Sequence, residues 1–135
     1  MKFIFTLAIC LSSIVLMAQQ RPANQYILIV RSKAHITASA EAIKTNIEHW
    51  QAYMGELGRN GKITGGYRLP VNGVTISGKD KEEKPTSYIA NDELVSSFII
   101  IKAADITEAK QIAAKCPVFE LDGNVEVKAL QETAN

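Results

Sequence analysis

Apolar residues along this chain alternate between two spacings, one near two residues and one near 3.6, and the switches between them mark the elements. Tyr26-Ile27-Leu28-Ile29-Val30, ended by Arg31, is a short β-branched run that predicts a buried strand. From Ser39 to Leu57 the spacing lengthens: Ile43, Ile47, Trp50, Met54 and Leu57 fall on one stripe of an amphipathic helix. Thr37 or Ser39 can cap its start, and Gly58 with Asn60-Gly61 offers the positive-φ positions that end it. Short strand-like pieces follow at 62–68 and 74–76, separated by Pro70 and the turn signal Asn72-Gly73. A sign-alternating run at 79–84 reads as a solvated loop and leads to a further piece at 86–90, so the whole stretch predicts a hairpin insertion.

Ser97 to Lys102 is the most apolar strand, and its continuous hydrophobicity predicts a central place in a sheet. Asp105 followed by Glu108 is a capping-box variant that starts a second helix, with Ile106, Ala109, Ile112, Ala113 and Cys116 on its apolar face. Pro117 stops that helix. Last, Val125, Val127 and Ala129 alternate with Glu126 and Lys128 in a half-exposed strand. Strand, helix, strands, strand, helix, strand is the split βαβ order of an α+β, ferredoxin-like fold carrying a hairpin insertion.

The first eighteen residues stand apart from that pattern. Lys2 precedes an apolar run from Phe3 to Ala18 broken only by Thr6, Ser12 and Ser13, the layout of a secretory signal peptide. The run is barely long enough for a bilayer and no charged stop-transfer cluster follows, so export with cleavage after Ala18 is the expectation, leaving no stable membrane span. A lipoprotein reading would use Cys10, but Ile9 stands where a small residue is wanted. The protein is thus expected in the periplasm or secreted, with residues 19–135 forming one domain.

Losing the signal removes Lys2 from 15 basic residues, leaving 14 against 14 acidic ones. Neutrality with no basic stripe excludes the electrostatics on which nucleic-acid binding depends. Of two cysteines, Cys10 leaves with the signal, and Cys116 cannot form an intrachain disulfide alone; a small buried hydrophobe is its expected role. Two distant histidines and one cysteine fall short of a closed metal site, and Gly65-Gly66 lacks the spacing of a phosphate cradle and marks instead a bulge or close packing in a strand. No cofactor is expected.

Several local strings, in their order and spacing, resemble the YCII-related family, and more closely its branch with the Asp-Gly-Pro-Phe motif. They are Tyr26 to Val30, His49-Trp50-Gln51-Ala52-Tyr53-Met54, Gly61 to Leu69, Ala113-Ala114-Lys115-Cys116-Pro117 and Val125-Glu126-Val127-Lys128. The similarity runs from about Gln25 to Leu130. The branch motif itself is not retained: in its place stands 86–93, with Glu93 and the aromatic Tyr88 in matching positions. The resemblance implies a homodimer in which two four-stranded sheets close face to face into an α/β barrel. A sheet covered by helices on one side has a physical motive for this, because its other face must be buried or polar.

The resemblance also implies a helix histidine, matched by His49, paired with an aspartate as acid–base machinery. An imidazole can take and give a proton near neutral pH, and a carboxylate would fix its tautomer. No Asp lies between Gly65 and Gly78, which leaves Asp92 and Asp80 as candidate partners. His35 sits in a polar loop with no expected catalytic part. Two classes of function stand open: a module that binds a small organic molecule in a cleft between helix and sheet, or a small acid–base enzyme using His49.

Overall fold

The computed structural model describes residues 24–131, so the expected signal peptide and its cleavage site lie outside the described residues. The elements run β1 (Gln25–Lys33), α1 (Ala40–Arg59), β2 (Ile63–Arg68), β3 (Thr75–Ser77), β4 (Glu82–Lys84), β5 (Glu93–Lys102), α2 (Ile106–Ala114), a 3-10 segment (Pro117–Leu121) and β6 (Asn124–Ala129). Four of the strands pair antiparallel in the order β2-β5-β1-β6, and β3 pairs with β4 in a separate hairpin. This is the α+β, ferredoxin-like arrangement, and the apolar run at 97–102 does occupy a central strand.

Period two decides which residues of the sheet meet the helices. Tyr26, Leu28 and Val30 on β1 and Ile99 and Ile101 on β5 are buried with Tyr53, Leu57, Ala109, Ala113, Cys116 and Val118 in one core. Their alternates point the other way: Ile27 lies opposite Ile100, and Ile29 opposite Phe98. Tyr67 of β2 also faces Phe98, at a ring separation of 5.8 Å. Both helices pack on the first face, so this second face, apolar on β1 and β5 with Glu126 and Lys128 of β6 beside them, is left uncovered.

The helix α1 sits differently from its apolar stripe. Its buried residues are Asn46, Tyr53 and Leu57, with Trp50 and Met54 partly buried, whereas Ile43 and Ile47 are 37% and 50% exposed. The helix is therefore turned by about 50° from the orientation its hydrophobicity predicts, at 100° per residue. The cause is polar: Asn46 donates to the carbonyl of Pro117 at 2.7 Å, and a buried amide must face its partner.

The insertion also differs from expectation. The strand pairing with Thr75–Ser77 is Glu82–Lys84, inside the run expected to be a loop, and 86–90 contributes only an isolated bridge at Ala90. Gly78 and Lys81, at φ 72° and 55°, close the intervening turn. Every residue of β4 is exposed, so an alternating charged sequence meets no burial cost there. Gly66 meets its expectation: a Cβ there would come within 2.7 Å of the Phe98 carbonyl, beside a register shift between Ile63 and Gly65.

Candidate functional site

Ser39 rather than Thr37 caps α1, its hydroxyl accepting from the Ala42 amide at 3.2 Å. About two turns further on, Asn46 and His49 stand three residues apart and so share a side of the helix. Facing them is the 3-10 segment, which Pro117 begins and Asp122, in the left-handed conformation at φ 58°, ends. Gly123 fixes its exit, because a Cβ there would lie 2.3 Å from Val118 Cγ2 and 2.6 Å from the Arg31 carbonyl. Both approaches are closer than real Cβ atoms adopt, so the segment packs this tightly only with glycine at 123.

That packing brings Glu120 against α1. Asn46 Nδ2 donates to Glu120 Oε2 at 2.9 Å as well as to the Pro117 carbonyl, and His49 Nδ1 lies 2.8 Å from Glu120 Oε1. Asn46 is buried, while the His49 and Glu120 side chains are 53% and 43% exposed. The Asn46 amide, the largest influence, holds the Glu120 carboxyl below the usual carboxylate range; desolvation opposes it, and the hydrogen bond and charge of His49 add to the lowering. An ionised carboxylate can only accept, so His49 carries its proton on Nδ1 and in the neutral form presents a lone pair at Nε2. Among the described residues nothing engages Nε2.

The same stretch of chain borders a shallow depression of about 370 Å³, lined by Ser39, Glu41, Ala42, Thr45, Glu120 and Leu121. It lies between α1 and the 3-10 segment, not between helix and sheet, where core side chains fill the space. Glu120 joins the depression to the histidine pair. His49 itself is not on its wall.

Asp92 stands elsewhere. It forms a two-residue turn with Asn91, both at positive φ, and its Oδ1 is 2.6 Å from His35 Nδ1, with His35 85% exposed. Asp80 lies in the turn between β3 and β4. The carboxylate that reaches His49 is therefore neither aspartate expected from the sequence but Glu120, just beyond the helix-ending Cys116-Pro117. Its only sequence signal is an acid in a short segment otherwise apolar from Pro117 to Leu121. Cys116 is buried, and burial pushes its thiol up to about 11, so it stays protonated and packs as a hydrophobe. Among the described residues no group of three or more His, Cys, Asp or Glu could hold a metal ion, and no helix is long and apolar enough to cross a membrane.

The comparisons meet this geometry at the level of the family. The model of the YCII-related domain matches residues 14–132. The chain belongs to that family. Among solved structures, this YCII-related domain is similar to the 5-chloro-2-hydroxyhydroquinone dehydrochlorinase of Burkholderia phenoliruptrix AC1100, determined in complex with 2,5-dihydroxybenzoquinone. The identity is 17%, the TM-score 0.44, and the match covers 80% of this chain and 95% of that one. No curated protein matches.

Proposed function

We propose that this YCII-related protein is exported and binds a small organic molecule in the depression between α1 and the 3-10 segment. The observation that carries the reading is the construction of its wall: Glu120, ionised and held by a buried amide, beside the Ser39 and Thr45 side chains and the carboxylate of Glu41. Two carboxylates repel anions, so the ligand is expected to bring hydrogen-bond donors, as an amine or a hydroxyl-rich molecule does. Titrating ¹H–¹⁵N spectra with small amines and polyols should move the amides of residues 39–49 and 120–121 together. Spectra that stay still across both classes, or move only elsewhere, overturn the assignment.

A second reading has its own support in the His49–Glu120 pair. A carboxylate that fixes Nδ1–H leaves Nε2 as a proton acceptor of defined position, which is how an acid–base imidazole is oriented. If His49 transfers protons, His49→Gln abolishes turnover while leaving binding in place. If the site only binds, the same variant changes affinity alone.

The protein is further proposed to act as a homodimer closed through the uncovered sheet face, the α/β barrel implied by its resemblance to the family. Support comes from Ile27, Ile29, Phe98 and Ile100, whose side chains lie on that face with Tyr67. Light scattering on the chain from Gln19 should return twice the monomer mass at micromolar concentration. Export is checked by intact mass on protein from its own host, which should begin near Gln19.

A further inference from the structure

The arm between β2 and β5, residues 69–92, is apolar where it should not be. Val71, Val74, Ile76 and Tyr88 are 62–72% exposed, and Ile89 is also exposed. The β3–β4 hairpin at its centre is in more than marginal contact with no other element. Two strands of three residues are at best marginally stable alone in water, and a cluster of exposed branched and aromatic side chains raises their cost further. The hydrophobes of the arm therefore call for a partner surface that the described residues of the same chain do not supply.

Continuity points to a second copy of this chain. Tyr67, 73% exposed, and Val95, 37% exposed, carry the apolar surface from Phe98 on the open sheet face to the base of the arm, so a copy seated on that face meets the arm as well. The charged residues of the hairpin, Lys79 to Lys84, are of both signs, and so are Arg31 on β1 and Glu126 and Lys128 on β6, which share the open face with Ile27 and Ile29, so neither surface repels the other.

We propose that the arm is a clasp: in the dimer, Val71, Val74, Ile76 and Tyr88 of each copy pack on the rim of the other copy's sheet. The inference rests on the sheet-face dimer proposed above. In an equimolar mixture of ¹⁴N and ¹⁵N full-length protein treated with a lysine-reactive cross-linker, arm lysines Lys79, Lys81 and Lys84 should join Lys33 or Lys128 in peptides of mixed isotope. The exposed double variant Val74→Asp/Ile76→Asp should keep the wild-type far-UV spectrum and raise the dimer dissociation constant at least tenfold. Cross-links of the arm confined to one isotope, or a dissociation constant within twofold of wild type for the double variant, overturn the clasp. Tyr67→Asp separates the two failures. If it weakens the dimer while the arm variant does not, the sheet-face dimer stands and the clasp falls; if the wild type is a monomer at every concentration, both fall.

Discussion

His49 and Glu120 are 71 residues apart in sequence and 2.8 Å apart in space. Asn46, one helical turn before the histidine, holds the other oxygen of the same carboxylate at 2.9 Å. One buried amide thus orients one acid, and the acid orients one imidazole. The order of dependence makes each member separately testable.

Replacing the histidine should leave the fold intact. His49 is more than half exposed, so His49→Ala is expected to cost less than about 1 kcal/mol. Its neighbour Trp50 is half-buried, stacks edge-on against Tyr53 at 5.9 Å and packs on the core. Trp50→Ala should cost about 2–3 kcal/mol, below the ~3–5 kcal/mol of a fully buried aromatic. Urea melts of the two variants compare them directly, and equal losses would place His49 in the core.

Asn46→Ala should be more costly than its size suggests. It removes the donor to the Pro117 carbonyl and to Glu120 at once, and orphaning a buried acceptor costs about 1–3 kcal/mol. Because the Asn46 amide is the largest cause of the low Glu120 titration, that titration should move up in the variant. Carbon-detected NMR of the Glu120 carboxyl reads the second effect, which loss of packing alone does not produce.

Acid should weaken the fold. Glu93, Glu108, Glu120 and Glu126 are all held below their ordinary values, chiefly by Lys33, Lys62, Asn46 and Lys128 respectively. A folded value below the unfolded one means that the unfolded chain takes up protons first as pH falls. Their contribution is therefore complete above the unfolded value, about 4.3 for glutamate, and is lost as pH drops through the folded values. All four are solvent-accessible, so each contributes little and the sum is modest. The urea midpoint should be level from pH 7 to 5 and lower at pH 3; a midpoint that rises on acidification would falsify the sign.

Gly123→Ala tests the seat of the 3-10 segment. The new methyl meets Val118 Cγ2 at 2.3 Å and the Arg31 carbonyl at 2.6 Å, so backbone must move. Overpacking of this kind costs about 1–3 kcal/mol or more. The shift should also loosen Glu120 from α1, which the His49 side-chain resonances will register. A variant as stable as the parent, with those resonances unmoved, is the contrary result.

Much of the fold was legible along the chain because it depends on local periodicity. The run 26–30, the alternation at 125–128, the Asp105 cap and the close-packed Gly66 each follow from side chains within a few residues of one another, and the structure has them as expected. The first helix was legible as a helix, but not its orientation. Hydrophobicity ranks Ile43 and Ile47 above Asn46, and only a carbonyl 71 residues away makes the asparagine the buried residue. The hairpin strand 82–84 was hidden for the related reason that an exposed strand carries no hydrophobic period.

The sequence by itself determined the order of the two helices and the four strands of the main sheet, and its family resemblance marked the helix histidine as a candidate. Which acid meets that histidine was decided by the tertiary structure alone. Asp92 and Asp80 were substitutes, named because no aspartate lies between Gly65 and Gly78, whereas Glu120 arrives through the turn after α2, on a 3-10 segment whose position depends on contacts with α1 and with Gly123. Strand and helix periods are properties of neighbouring residues, and a chain carries them openly. A carboxylate and an imidazole from distant segments meet only when the core between them has packed, and no local pattern encodes that distance.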